Sequence, residues 1–261
     1  MKRLAVANQK GGVGKTTTAI SLAAALSVLE KRVLLVDFDP QGNTTGGLGV
    51  EKGSLEKTVY DWILGNAAIG EVARPTELAG LRLIPASRDL VGAEIELVGV
   101  EEREYLLARK LDGLTEEFDY VLIDCPPSLG LLTLNALTAA DGVLVPIQCE
   151  YYALEGVSEL MSTIERVREG LNPSLAIAGV VATMLDERLN LSRQVLEEIR
   201  RYFGAAFLEP PVPRNVRLGE APSFGKPIFL YDIRSRGAEA YLAIARELLR
   251  RDLAGGNGGQ P

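Results

Sequence analysis

The apolar residues of this chain gather in short unbroken runs rather than alternating with polar ones. Residues 4–7, 33–36, 120–123, 142–146 and 176–183 are continuous and of strand length, as expected of strands covered on both faces in a parallel sheet. Residues 81–85 alternate instead and predict one further strand. Helical spacing fills 18–29, 59–64, 90–114, 131–139, 155–169, 191–203 and 238–253. Gly170 and Asn172-Pro173 stop the helix at 155–169, and Pro210-Pro211-Val212-Pro213 predicts a rigid loop. Outside its short helix, the stretch 44–80 shows no consistent period. Strands alternating with helices along the chain predict one doubly wound α/β domain over residues 1–253. Its single, mostly parallel sheet is flanked by helices, with ligands at the carboxyl ends of the strands. The Gly-rich stretch 254–261 has nothing to bury and is expected to be disordered.

Composition narrows the chemistry more than the fold. The 261 residues include no histidine and only two cysteines, Cys125 and Cys149. That removes a histidine-based triad and leaves no zinc-ligand spacing. Both cysteines sit in or beside apolar runs and read as small buried hydrophobes. No apolar run approaches the roughly 18–20 residues that span a bilayer, and Met1-Lys2-Arg3 leads into a strand rather than a signal segment. A cytoplasmic protein is expected. The net charge of −7 argues against a generally basic nucleic-acid binder. The charge is uneven, however. Residues 186–252 hold 12 Lys and Arg against 10 Asp and Glu, and the remainder 16 against 25, which permits a basic face on the C-terminal third.

Three predicted strands end in polar segments suited to a nucleotide. The first, Gln9-Lys10-Gly11-Gly12-Val13-Gly14-Lys15-Thr16-Thr17, lies between a strand and a helix. Glycines there let successive N–H groups point at phosphate oxygens, and the helix N-terminus adds partial positive charge. Lys15 is placed to reach the β- and γ-phosphates and Thr16 to ligate Mg²⁺. Gln9 stands where the usual pattern has a glycine. The second segment, 37–43, offers Asp37 and Asp39, and the third offers Asp124 after four apolar residues. Asp124 is placed like a Walker B aspartate that holds Mg²⁺. Hydrolysing a γ-phosphate needs an oriented water, and without histidine a carboxylate is the group to orient it. Asp39, on the loop, suits that task; Asp37, nearer the strand, suits Mg²⁺ ligation or support of the phosphate loop.

Lys10-Gly-Gly-Val-Gly-Lys15-Thr-Thr, Val36-Asp37-Phe38-Asp39-Pro40-Gln41-Gly42-Asn43 and Ile123-Asp124-Cys125-Pro126-Pro127-Ser128 resemble the deviant Walker A, A′ and B motifs of the ParA/MinD ATPases. The stretch 148–156, Pro213-Arg214-Asn215-Val216-Arg217-Leu218 and Gly225-Lys226-Pro227-Ile228 are similar to the chromosomal ParA (Soj) branch. The resemblance runs from about residue 2 to residue 250. It implies an ATPase, with ATP and Mg²⁺, that dimerises as an ATP sandwich. Lys10 would reach the partner's phosphates, supplying in trans the cation that other NTPases take from an arginine finger. Asp39 matches the hydrolysis aspartate, Thr16 and Asp124 the Mg²⁺ shell, and Pro213 and Asn215 the adenine contacts. The resemblance also implies non-specific double-stranded DNA binding through Arg188 and Arg217, release by a DNA-bound ParB-type activator, and a nucleoid-associated location. The membrane-associated MinD relative is the alternative. Its basic amphipathic C-terminal helix has no counterpart in 238–253, where apolar spacing matches core packing. An iron–sulfur reductase needs suitably placed cysteines, and Cys125 lies too close to the metal aspartate for that.

Overall fold

The computed structural model describes residues 1–256 except 116, 152 and 154. Seven strands form one sheet: β1 (Lys2–Val6), β2 (Val33–Asp37), β3 (Arg74–Pro75), β4 (Leu81–Ile84), β5 (Tyr120–Asp124), β6 (Gly142–Gln148) and β7 (Ala176–Thr183). Their spatial order is β3-β4-β2-β5-β1-β6-β7, parallel throughout except for the antiparallel edge pair β3–β4. The central strands β2 and β5 are buried at every position. A fully buried leucine contributes about 1.5–3 kcal/mol over an exposed one, so continuous apolar runs are stable only under cover on both faces.

Helices supply that cover: α1 (Lys15–Val28), α2 (Asn43–Gly47), α3 (Val59–Leu64), α4 (Ile69–Val72), α5 (Leu90–Glu96), α6 (Leu106–Asp112), α7 (Leu131–Ala139), α8 (Glu155–Gly170), α9 (Asn190–Phe203), α10 (Val216–Glu220), α11 (Ile228–Tyr231) and α12 (Arg236–Gly256). One apolar cluster joins α3 and α5 to α9 to the face carrying Leu34, Val36, Val121 and Ile123. The other joins α1, α11 and α12 to the face carrying Leu4, Val6, Leu35 and Leu122. A buried hydrogen bond of 2.9 Å between the hydroxyls of Thr18 and Tyr241 ties α1 to α12.

The helical run expected over 90–114 is broken. α5 tightens into a 3-10 turn at Leu97–Gly99, and Glu102 takes a left-handed φ of 53° before α6 begins. The last helix runs to Gly256, into the stretch expected to be disordered, and residues 257–261 lie outside the described residues. Beyond β7, Leu208, Val212 and Arg214 donate backbone hydrogen bonds to Val180, Ala182 and Leu185. The Pro-rich loop is thereby held beside the sheet's carboxyl edge. On that edge two distant loops also meet backbone to backbone. A Cβ on Gly225 would stand 2.6 Å from Gly49 Cα, and both residues have positive φ. Only glycine permits that approach.

Candidate functional site: a nucleotide cleft at the strand ends

Strand register gathers the three polar segments. Val6 and Asp37 each pair with Asp124 across β1–β5 and β2–β5, so the phosphate loop and both aspartate segments leave the sheet side by side. Gly14 caps α1 in the left-handed region at φ 91°, where an L-side chain is strained. The loop is braced from beneath. Asn8 Nδ2 donates to Pro146 O at 2.7 Å, Lys10 N donates to Asn8 Oδ1 at 3.0 Å, and Thr183 Oγ1 donates to Val13 O at 2.8 Å.

Two adjoining clefts open over this loop. One is lined by Gly11, Gly12, Gly14, Lys15, Thr16, Thr17, Asp39, Asn43, Pro127 and Met184. The other is lined mainly by Gly14, Thr17, Met184, Val212, Pro213, Asn215, Leu218 and Tyr241. They share Gly14, Thr17 and Met184. A polar compartment at a helix N-terminus thus continues into an apolar one, matching a phosphate chain continuing into a base.

Lys15 is buried, and its Nζ donates to Lys10 O at 3.1 Å. Burial lowers its pKa, while Asp124, Cys125 and Asp39 pull the other way. Asp124 is fully buried. Desolvation raises its pKa, countered by the Thr44 and Thr16 hydroxyls and Lys15. Thr44 Oγ1 donates to Asp124 Oδ2 at 2.7 Å, whereas Oδ1 is buried with no hydrogen-bond partner. An orphaned carboxylate oxygen beside a threonine hydroxyl is a donor set that fits Mg²⁺, which takes few protein ligands where phosphates supply the rest. No cluster of three or more His, Cys, Asp or Glu suited to a metal occurs among the described residues.

Asp37 is tied into the loop that follows β2. Its Oδ2 accepts from Thr45 N and Thr45 Oγ1 at 2.7 and 2.6 Å, and its Oδ1 accepts from Asp39 N at 3.3 Å. Burial and the neighbouring Asp124 push its pKa up. Both Asp37 oxygens are engaged by the loop that follows it, and like Asp124 it is fully buried. Asp39 lines the cleft, and its Oδ1 accepts from Gln41 N at 2.9 Å. Lys10 is half-buried, and it has no carboxylate within salt-bridge distance among the described residues.

Pro213 and Asn215 both line the apolar cleft. Asn215 also caps α10, its Oδ1 accepting from Arg217 N at 2.8 Å. Arg188 and Arg217 are exposed and already paired. Arg188 forms a bidentate pair with Asp186, at 2.8 and 2.7 Å, and Arg217 reaches Glu220 at 2.9 Å and Asp232 at 3.6 Å. Arg236 reaches Glu187 at 3.8 Å, so both arginines flank the segment that opens α12. Thr44, Thr45, Asn8 and Met184 escaped the sequence reading. The two threonines lie just beyond the second aspartate, but nothing local says which carboxylate they meet. Met184, at φ 53°, gives no sequence signal at all. Cys125 and Cys149 are buried, as read, and desolvation pushes the Cys149 thiol up to about 11. In the 148–156 stretch, residues 152 and 154 lie outside the described residues.

The sheet, the glycine loop and the two-compartment cleft define a P-loop nucleotide-binding protein. Comparison with known proteins narrows this. Residues 1–177 match the family model described as an AAA domain. The chain is 57% identical to the chromosome partitioning protein ParA of Myxococcus xanthus, covering 95% of this chain and 88% of that protein. It is 56% identical to the sporulation initiation inhibitor protein Soj of Bacillus subtilis, covering 95% and 98%. Among solved structures, the cobyrinic acid a,c-diamide synthase of Mycobacterium smegmatis with bound ADP and magnesium superposes with a TM-score of 0.86. That match has 43% identity and covers 98% of this chain and 96% of that one. The chain belongs to the ParA/Soj family of chromosome-partitioning proteins.

Proposed function

We propose that the protein is a Mg²⁺-dependent ATPase whose ATP-bound sandwich dimer holds double-stranded DNA without sequence preference and is released when a DNA-bound ParB-type activator stimulates hydrolysis. The observation that carries this reading is the lining of the polar cleft, where Asp39 shares one space with Lys15, Thr16 and the glycine backbone. Backbone N–H groups and Lys15 bind the phosphates, and the neighbouring cleft with Pro213 and Asn215 takes the adenine. Thr16 and Asp124 would hold Mg²⁺, which when bound neutralises charge on the phosphate oxygens. Asp39 orients and partly deprotonates the attacking water. Lys10, half-buried and without a carboxylate partner among the described residues, serves the partner protomer's phosphates, so that hydrolysis requires the dimer.

DNA is held by arginines in phosphate contacts, with Arg188 and Arg217 presented from both protomers acting together. A membrane role is disfavoured because the apolar face of α12, with Tyr241, Ile244 and Leu248, is buried in the core. No described helix is long and apolar enough to cross a membrane. The test is duplex DNA binding titrated with salt in the presence of ATP, ADP or no nucleotide. Binding only with ATP, falling steeply as salt rises, is the expected result. Equal binding in all three conditions would sink the nucleotide-gated reading.

A further inference from the structure

Helix α10 is a wall shared by two surfaces. Asn215, Leu218 and Gly219 line the apolar cleft that takes the base. Arg217, between them in sequence, is exposed and pairs with Glu220 and Asp232. The helix has little stability of its own, being five residues long with a glycine at its fourth position. Its first turn is held by Asn215, whose Oδ1 accepts from Arg217 N at 2.8 Å. That bond fixes which way the amide points. Asn215 Nδ2 is left without a hydrogen-bond partner among the described residues, on a side chain that lines the cleft. The ring nitrogens of adenine are acceptors for such a donor.

We propose that Asn215 is a positioning residue that ties the DNA grip of Arg217 to the base in the cleft, beyond any effect of the phosphates. A ring nitrogen accepting from Nδ2 holds the amide in place. It also polarises the amide and strengthens Oδ1 as the acceptor of Arg217 N. A base packed on Leu218 and Gly219 steadies the same wall. Together these contacts narrow the positions open to α10, so Arg217 meets a DNA phosphate without first ordering its helix. By reciprocity, DNA held on Arg217 raises the affinity for the base by the same factor. Arg188 has no such link. It lies between β7 and α9, and neither it nor its partner Asp186 lines the cleft. The inference rests on the proposed nucleotide-gated DNA binding.

The test uses the full chain with Asp39→Ala to prevent turnover, saturated with Mg²⁺ and either ATP or UTP. UTP keeps the triphosphate and ribose and changes only the base. Light scattering verifies the dimer, and anisotropy of a fluorescent duplex reads DNA affinity against salt. ATP dimers should hold the duplex about tenfold tighter than UTP dimers. Their log–log salt slope should be steeper by about two, one for each Arg217 of the dimer. Adding Arg217→Ala or Asn215→Ala should bring the two nucleotides within about twofold of each other, whereas adding Arg188→Ala should weaken both and keep their ratio. Asn215→Asp keeps a capping oxygen but has no N–H to donate; it should also lose the ratio, which a purely structural cap would preserve. Equal binding by ATP and UTP dimers, or a ratio that survives Arg217→Ala, overturns the inference. So does UTP that forms no dimer at millimolar concentration, because the base would then govern assembly rather than α10. No duplex binding with either nucleotide would remove the partition reading itself and the inference with it, so the two failures are told apart.

Discussion

Thr45→Val isolates the group on which the nucleotide loop turns. Thr45 is fully buried. Its Oγ1 donates to Asp37 Oδ2 at 2.6 Å and accepts from Ala86 N at 2.9 Å. Valine keeps the shape and removes both bonds. The bond to a carboxylate is worth about 1.5–3 kcal/mol, and a buried N–H left without a partner costs about 1–3 kcal/mol. The expected loss is therefore about 3–5 kcal/mol, a large part of the roughly 5–15 kcal/mol that holds a domain together. Urea unfolding followed by circular dichroism should show the midpoint falling by about 1 M or more, for a slope near 3 kcal/mol per M. Thr45→Ser, which keeps the hydroxyl, should recover most of it. A Thr45→Val midpoint within about 0.3 M of the native one would refute the claim that this hydroxyl braces the Asp37 loop.

Three further outcomes are expected. Asp39→Ala should still bind ATP and dimerise while turnover falls by about 10²–10⁴; native turnover in a coupled phosphate-release assay would remove Asp39 from its role. Arg188→Glu with Arg217→Glu should abolish DNA retention yet leave thermal stability within about 0.5 kcal/mol and ATP-dependent dimerisation intact, and unchanged retention would move the DNA surface elsewhere. Gly225→Ala puts a Cβ 2.6 Å from Gly49 Cα at φ 65°, a loss of about 2–4 kcal/mol. Gly11→Ala, with no atom within 4 Å of its Cβ, should melt within about 0.5 kcal/mol of the native chain, so equal melting of the two variants counts against the backbone contact.

What the sequence disclosed and what it withheld divide along locality. The parallel strands were legible because burial on both faces makes their apolar runs continuous, as in β2 and β5. The positions of the glycine loop, Asp39 and Asp124 at the strand ends were legible because the loop follows β1, Asp124 ends β5 and Asp39 lies two residues beyond β2. The break in 90–114 was not, since Gly99 and Glu102 interrupt a pattern whose apolar spacing persists across them. Nor were α10 and α11, each too short for a period to show. The bonds between Asp37 and Thr45 were not legible, because Thr45 lies eight residues away and only the folded loop brings the hydroxyl back. Thr44 meets Asp124 across 80 residues, a pairing that no local pattern encodes. The basic excess of residues 186–252 was real as a count, but Arg200, Arg250 and Arg251 are spent on Glu197, Glu209 and Glu247, so charge arithmetic overstated the open cationic surface.

Gly49 and Gly225 meet with no side chain between them. Most contacts between distant loops pass through rotamers, which absorb small displacements by turning. A contact of bare backbones has no such give. Gly49 lies just beyond α2, the helix that follows Asp39, and Gly225 lies between α10, which carries Arg217, and α11. A shift of a few tenths of an ångström on the cleft side is therefore passed on undamped to the arginine side. In mechanical terms the two glycines form a rigid coupling rather than a spring.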